Sequence, residues 1–542
     1  MLAKVLKYYH TIKYLKLTQI YGQVTFRYLK PKPDLALPPL QRKMTEAIVP
    51  PIVKLSQLTS ESSANFLNQE KDISATSIWS DAKVDKLWLY NLHYFDVLNS
   101  HDTPLIWQQD LIERWIKENP PATGCGWEPY PISLRLVNWI KWILLGHYPS
   151  AKMLHSLAIQ ARFLSKRIES HLLGNHILAN AKALLFAGLF FEGYEAQAWF
   201  NRGMKIFKRE LSAQILSDGG HFELSPMYHA IILEDLLDII NLFKSYDRAI
   251  PADWVAICNN MFNWLRLMCH NDGHISFFND AAFGVAPTLS ELEEYQLRLL
   301  VESNIEKILP IQFLNKSGYC RIQKNNILLL ADLAEVGASY QPGHAHADTL
   351  SFELSVGLQR LIVNSGTSCY TENSERFRQR SSKAHNTVVV DDMNSSEIWK
   401  SFRVARRASV RDIEIQDKNN IMTVQARHDG YYHSKKVNHI RKWSLTANEL
   451  LIEDLVSGSG HRKIEIAFHI HPGVIIKQLT DKSIMFYDQS NNFLASLQMN
   501  PAAKIEESTY HPEFNVSIQN KKITTQIHSD LPASLRTSIK FN

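Results

Sequence analysis

Along residues 85–310 apolar side chains recur at three- and four-residue intervals. The stretches "DLIERWIKENP", "SLRLVNWIKWILLGHY", "MLHSLAIQARFLSKRIESHLL", "NHILANAKALLFAGLFF", "AQAWFNRGMKIFKRELSAQIL", "YHAIILEDLLDIINLFKSY" and "WVAICNNMFNWLRLMC" all carry this pattern. It is the period of amphipathic helices. Polar turns separate the stretches at the spacing of helical hairpins, which predicts an (α/α) toroid, although a plain solenoid reads similarly. After about residue 317 the period drops to two, in "NNILLLADLAEV", "DTLSFELSV", "NTVVVDD", "RKIEIAFHIH" and further short runs. Short strands between turn residues, with no helices among them, predict an antiparallel β-sandwich. The expected fold is therefore α+β and multidomain. A basic N-terminal helix and Pro-rich linker occupy residues 1–84, the toroid 85–315 and the sandwich 316–542.

The stretch "GHAHADTLSFELSV" (343–356) combines this strand pattern with reactive side chains. Leu350, Phe352, Leu354 and Val356 alternate with Thr349, Ser351, Glu353 and Ser355, the mark of a half-buried strand. The same parity carried backwards puts His344, His346 and Asp348 on the apolar face. Polar groups there need partners. Such a cluster can hold a metal, move a proton, or bond only to itself, and the local pattern leaves all three open.

Composition narrows the function classes. The 542 residues are 45% hydrophobic and 21% charged, as in globular proteins, and too many for one ordinary core. A net charge of +5 is too small to imply nucleic acid, yet it suits a polyanionic substrate in a locally basic cleft. The five cysteines are widely spaced and form no CxxC pair, so neither a disulfide framework nor a zinc ribbon is indicated. Six Lys and one Arg precede the first acidic residue, Asp34. Charges interrupt this segment too often for a signal peptide. It reads as a basic amphipathic helix that packs on its own protein or contacts a membrane surface peripherally. The expected location is cytoplasmic or peripheral to the inner membrane face. The oligomeric state is left open.

Five separated motifs carry a resemblance: "ESHLLGNHILANAKALLFAG" (169–188), "DGGHFELSPMYHAIILEDLLD" (218–238), "GHAHADTLSFEL" (343–354), "VNSGTSCY" (363–370) and "RQRSSKAHNTVVVDD" (378–392). In this order they resemble the heparinase II/III-like polysaccharide lyases, whose toroid-plus-sandwich fold agrees with the periodicity. The resemblance implies cleavage of uronic-acid-containing polysaccharide by β-elimination. A base removes the weakly acidic C5 proton, donors stabilise the developing charge beside the carboxylate, and an acid protonates the departing O4. Carried over by motif, Asn175 and His176 hold the substrate carboxylate, Tyr228 is the acid and an alternative base for one uronate epimer, and His344 is the catalytic histidine of the sandwich domain, which moves a proton. Read locally, Gly174 and Asn175 also suit a helix cap, and Tyr228 also suits a helix core.

The resemblance further implies a structural divalent metal, zinc or manganese, held by His346, His385 and an acid in a "DSG" turn. Here that turn reads "NSG". Asn364 stands in place of the acid and is a weaker, neutral ligand. Asp348 is an alternative source of charge. Substrate contacts are expected from Trp127, Tyr130 and Arg135 in "GWEPYPISLRLVNW" and from Arg380, since Arg pairs well with carboxylates or sulfates. His274 and Asp280 in "HNDGHISFFND" either touch substrate or only form a turn.

A uronate C5-epimerase uses the same residue types, and a non-catalytic polysaccharide-binding or assembly protein needs fewer of them. A hydrolase needs two carboxylates across the cleft, for which Glu223, Glu128 and Asp280 are the candidates. The segment's basic N-terminus and lack of an export signal suit bacterial capsule or exopolysaccharide metabolism.

Overall fold

A computed structural model describes residues 2–542. Two helices open the chain, α1 (Leu2–Ile12) and α2 (Leu17–Tyr28), where the sequence suggested one. The helical region continues with α3 (Lys86–Tyr94), α4 (Leu105–Glu118), α5 (Pro129–Leu144), α6 (Ala151–Ser165), α7 (Gly174–Phe190), α8 (Gly193–Gln214), α9 (Pro226–Ser245), α10 (Ala252–Met268) and α11 (Leu289–Arg298). The apolar run "ALLFAGLFF" lies in α7, which is buried almost all round and packs against α5, α6, α8 and α9. A helix apolar on every side belongs at such a centre. Among the described residues no helix is long and apolar enough to cross a membrane.

The Pro-rich segment is a strap rather than a loose linker. Arg42 donates from Nε to the Leu189 carbonyl at 2.9 Å and from its terminal nitrogen to the Phe191 carbonyl at 3.0 Å. A cation is well placed at that helix C-terminus, where carbonyls lack partners. The Thr45 N–H closes the end of α9 on Ser245 at 2.9 Å. A small antiparallel sheet follows, β1 (Leu58–Ser60), β2 (Ser63–Phe66) and β3 (Gln69–Asp72), in a stretch that reads only as polar from the sequence.

The sandwich begins at β4 (Ile311–Leu314), a few residues before the expected boundary. It continues through β5 (Tyr319–Lys324), β6 (Ile327–Asp332), β7 (Phe352–Val356), β8 (Gln359–Ile362), the short helix α12 (Ser374–Arg380) and β9 (Val388–Val390). Strands β4 to β8 lie side by side in sequence order. The strand His461–Ile470 continues this sheet, pairing with both β8 and β9, and Ile518–Asp530 and Lys504–Tyr510 complete it. The opposing sheet is antiparallel and eight-stranded, with Asn438–Leu445 and Glu449–Ser457 near its middle. Alternating Val424, Trp443, Ile452 and Ile539 face Leu329, Phe352, Leu354 and Ile466 across the core.

The half-buried reading of β7 needs correction, because all five of its residues are buried. One face enters the sandwich core, and the other packs on the toroid. Glu353 accepts from His270 Nε2 at 2.8 Å and from the Phe277 N–H at 3.1 Å, and Ser355 Oγ lies 2.6 Å from His270 Nδ1. Polar alternation here marks a domain interface. The parity argument also stops at Leu350, whose φ of 59° breaks the strand, so residues 343–351 form an irregular loop.

Candidate active site

The start of α7 meets the loop that leads into α9 through one carboxylate. Glu223 accepts from the Asn175 N–H at 3.1 Å and from Asn175 Nδ2 at 3.3 Å. An anion here suits the positive end of α7. Gly174 makes the approach possible: its φ is +59°, and a Cβ would lie 2.3 Å from Glu223 Oε1. Asn175 is thus the second helical residue rather than a side-chain cap. Its amide carries two N–H groups, so one remains for an incoming acceptor.

His176, next along, is half-buried and packs on Tyr130 with ring centroids 4.4 Å apart. Its Nδ1 is 3.3 Å from Glu169 but is not aligned for a hydrogen bond. Burial by itself would lower the imidazole pKa. Glu169, with help from Glu223 and Glu128, outweighs it and raises the pKa above the usual 6.5.

Ser225 caps α9 by accepting from the Tyr228 N–H, and Pro226 opens its first turn. This fixes Tyr228 at the interface, with its ring 4.0 Å from that of His344 and its hydroxyl 2.8 Å from the Tyr370 hydroxyl. Burial, then Tyr370 and Asp280, push the Tyr228 phenol well above its ordinary pKa, so it is a proton donor as it stands.

Asp280 organises the sandwich side. One carboxylate faces His344 Nδ1 at 2.9 Å and His346 Nε2 at 2.8 Å. Arg376 clamps it through both terminal nitrogens, one of them at 2.7 Å. Although burial opposes its charge, Arg376 and then the two histidines hold the carboxyl well below the usual range. Asp280 is therefore an acceptor on both sides, and each histidine must donate to it. The tautomers follow. His344 keeps its proton on Nδ1 and leaves the Nε2 lone pair free, 3.7 Å from Glu223.

His346 Nδ1 faces His385 Nε2 at 3.1 Å, and His385 Nδ1 lies 2.8 Å from the Ser381 carbonyl. Asp348 joins the pair, the three ligand atoms lying within 4.8 Å of one another. With acceptors on both outer nitrogens, two lone pairs point at each other. Burial lowers the pKa of both rings, that of His346 to about 4. A divalent cation satisfies such a donor set, and the outer carboxylate and carbonyl orient the ligands as second partners do at metal sites. The Asn364 N–H donates to Glu353 at 2.8 Å, its side-chain oxygen accepts from Asn386, the residue after His385, at 3.4 Å, and its Nδ2 has no hydrogen-bond partner. The carboxylate grouped with the two histidines is Asp348.

Three of the expected substrate contacts are corrected. Arg135 is wholly buried, donating to Gln160, the His93 carbonyl and the Gly126 carbonyl, and lying 3.8 Å over Trp115. Trp127 is buried between Trp115 and Phe163. Arg380 is wholly buried and spends its guanidinium on the Ala345 and Lys400 carbonyls, which fixes the histidine loop. Tyr130 alone of the four reaches the site, through His176. His229, buried against Trp264 and the Met261 carbonyl, is structural.

Glu223 and Asp280, offered by the sequence only as hydrolase carboxylates or, for Asp280, as a substrate or turn residue, belong to this constellation as the acceptors that organise it, and Tyr370 and Arg376 join them without having been singled out. Tyr370 lies inside a quoted motif, and nothing local singles out Arg376.

The model of the heparinase II/III N-terminus matches residues 107–298, and that of the heparinase II/III-like C-terminal domain matches 309–541. A heparin-sulfate lyase of Bacteroides stercoris is 23% identical over 437 residues, covering 71% of this chain and 63% of that protein. FtsZ-localized protein C of Caulobacter vibrioides is 24% identical over 362 residues, covering 63% of this chain and 60% of that protein. The chain thus spans under two thirds of the length of these two relatives. The crystal structure of heparinase III shares the fold with a TM-score of 0.70 at 15% identity, covering 97% of this chain and 85% of that one. Two matched domains, in order and covering most of the sequence, place this chain in the heparinase II/III-like family.

Proposed function

We propose that the chain is a polysaccharide lyase that cleaves an acidic, uronic-acid-containing polysaccharide by β-elimination. The observation that carries this is the face-to-face approach of Tyr228 from the toroid and His344 from the sandwich, their rings 4.0 Å apart, beside Asn175 and Glu223. The names of its relatives support the same substrate class. In this reading the free N–H of Asn175 and the cationic form of His176 hold the uronate carboxylate. His344 Nε2 takes the C5 proton. The electron pair left on C5 forms the C4=C5 bond, and the C4–O4 bond breaks. O4 leaves with the Tyr228 proton. Proton return from the imidazolium to the phenolate, with Tyr370 hydrogen-bonded to it, resets both groups.

His346, His385 and Asp348 would hold a divalent zinc or manganese ion, whose charge would pin the loop carrying His344. Asp348 provides the anionic ligand that the NSG turn lacks. Turnover of bacterial capsule or exopolysaccharide suits an enzyme of this kind.

Incubation with a panel of uronate polysaccharides tests the activity, through the ultraviolet absorbance of a 4,5-unsaturated product. Tyr228→Phe is expected to lower that rate about 10²–10⁴-fold while the fold persists. A variant keeping more than half the wild-type rate overturns the acid assignment. Exchange of the C5 proton without the new absorbance points to a C5-epimerase instead. Binding without either, in keeping with the similarity to FtsZ-localized protein C, points to an assembly role.

A further inference from the structure

We propose that α1 and α2 form a docking surface for an anionic lipid bilayer. In α2 the residues turned to the protein are Gln19, Gly22 and Phe26. Gln19 Nε2 donates to the Tyr340 carbonyl at 3.1 Å, and Phe26 stacks 4.0 Å from His171. The Gly22 backbone is so close that a Cβ would sit 2.9 Å from the His171 nitrogen. The outward stripe, at three- and four-residue spacing, is Leu17, Ile20, Tyr21, Val24 and Tyr28. Leu17, Tyr21 and Tyr28 are 84%, 73% and 74% exposed. Helix α1 repeats the pattern with exposed Val5, Tyr9 and Ile12. Both helices therefore turn an apolar stripe to water, the reverse of an ordinary surface helix. Exposed apolar stripes of this kind mark an interaction site.

Charge selects the occupant. Lys4, Lys13, Arg27, Lys30 and Lys32 are exposed on the same segment, which holds no acidic residue before Asp34. Among the described residues no carboxylate lies within ion-pair distance of these five, whereas Lys7 is 3.6 Å from Glu397. A second copy of the chain would bring two like-charged arms together, which is unfavourable. Aliphatic and tyrosine side chains flanked by lysines instead match the acyl–headgroup boundary of an anionic bilayer.

The arm also adjoins the catalytic residues. Lys16 lies 3.6 Å over the Tyr340 ring, Tyr340 packs on Phe222, and Gln341 touches the space beside Gly174. Docking would hold the cleft next to the bilayer, suiting acidic glycans tethered there. That consequence rests on the lyase reading, but the docking itself does not.

Flotation of the full chain tests the proposal, with vesicles of equal parts phosphatidylglycerol and phosphatidylcholine against pure phosphatidylcholine. Wild type is expected to float with the anionic vesicles only, and less in about 1 M salt, where charge is screened beyond roughly 3 Å. Leu17→Gln/Tyr21→Gln/Val24→Gln should cut the bound fraction about tenfold or more, and Lys13→Glu/Lys30→Glu/Lys32→Glu should cut it further. Both variants should melt at the wild-type temperature, which separates loss of docking from unfolding. Wild type that stays unbound overturns the proposal, as does a glutamine variant that floats equally well. A concentration-dependent dimer in light scattering, dissolved by the glutamine variant, would assign the stripe to a second copy and overturn it too. None of these readouts depends on turnover.

Discussion

His346 and His385 face each other across 3.1 Å, and so do His439 and His428 on the opposing sheet. Each pair is buried, and each leans on an aspartate that an arginine clamps: Asp280 with Arg376, and Asp454 with Arg441. The difference lies at the outer end. His428 Nδ1 accepts from the Gly430 N–H at 3.1 Å, so its proton sits on Nε2 and bonds His439 Nδ1. That chain of donors and acceptors closes by itself. His385 Nδ1 meets the Ser381 carbonyl instead, so the inner nitrogens both present lone pairs. Asp348 lies beside this second pair and has no counterpart in the first. Equal spacing therefore does not mean equal chemistry. One backbone N–H in place of a carbonyl separates a closed network from one whose inner lone pairs lack a proton between them.

The largest expected contrast comes from the aspartates. Asp280→Asn removes the acceptor that sets both tautomers, and turnover should fall about 10²–10⁴-fold. Asp454→Asn should leave the rate per folded molecule unchanged and cost about 3–5 kcal/mol of stability, because Arg441 is left buried and unpaired. Rates normalised to folded fraction, with denaturant melts, check both. Equal effects on rate would erase the distinction between the two networks.

Metal response is the next contrast. Zinc or manganese at 100 times its dissociation constant should stabilise wild type by about 2.7 kcal/mol over chelator. His385→Ala should abolish that increment. His428→Ala should lower the baseline melting temperature and keep the increment. Elemental analysis of the purified chain gives an independent reading.

Asn364→Asp sharpens the role of Asp348. The new carboxylate would replace a wholly buried amide whose oxygen accepts from Asn386 at 3.4 Å. We expect a loss of about 1–3 kcal/mol in chelator and in added metal alike, from an unsatisfied buried group. A variant that melts higher than wild type in metal would instead return the third ligand to the NSG turn. Asp348→Asn should reduce bound metal.

The smallest contrast is in pH. His346 has its folded pKa lowered to about 4, and that of His428 is lowered well below the usual value, in both cases mainly by burial. The unfolded state binds the proton first as pH falls below about 6.5. The stability these neutral rings contribute is therefore full above 6.5 and is lost from there towards the folded value, at up to roughly 1.4 kcal/mol per pH unit for each ring. His176 runs the other way: its raised pKa contributes below 6.5 and fades as pH rises through the folded value. Both pairs should share the acid loss, but only the His346 pair should also lose its metal increment. Melts from pH 4 to 8, with metal and with chelator, would show this.

The change of period near residue 310 and the order of the two domains are written in the sequence, because helix and strand spacing are local properties. So are the positions of Asn175, His176, Tyr228 and His344, which motif resemblance picks out one by one. Their meeting is not local: it depends on Asp280, Arg376 and Glu223 arriving from distant segments. The same limit explains the errors. Arg135 looks like a substrate fork until the carbonyl of His93, 42 residues away, takes its guanidinium. The alternation around Glu353 looks solvent-facing until the toroid covers it. The basic N-terminal segment reads equally as packing on its own protein or as facing a membrane, and tertiary packing settles which side of α2 is covered by turning Gly22 inward. Apolar spacing specifies that a helix has two faces, but only the neighbours that fill or leave each face decide which one meets water.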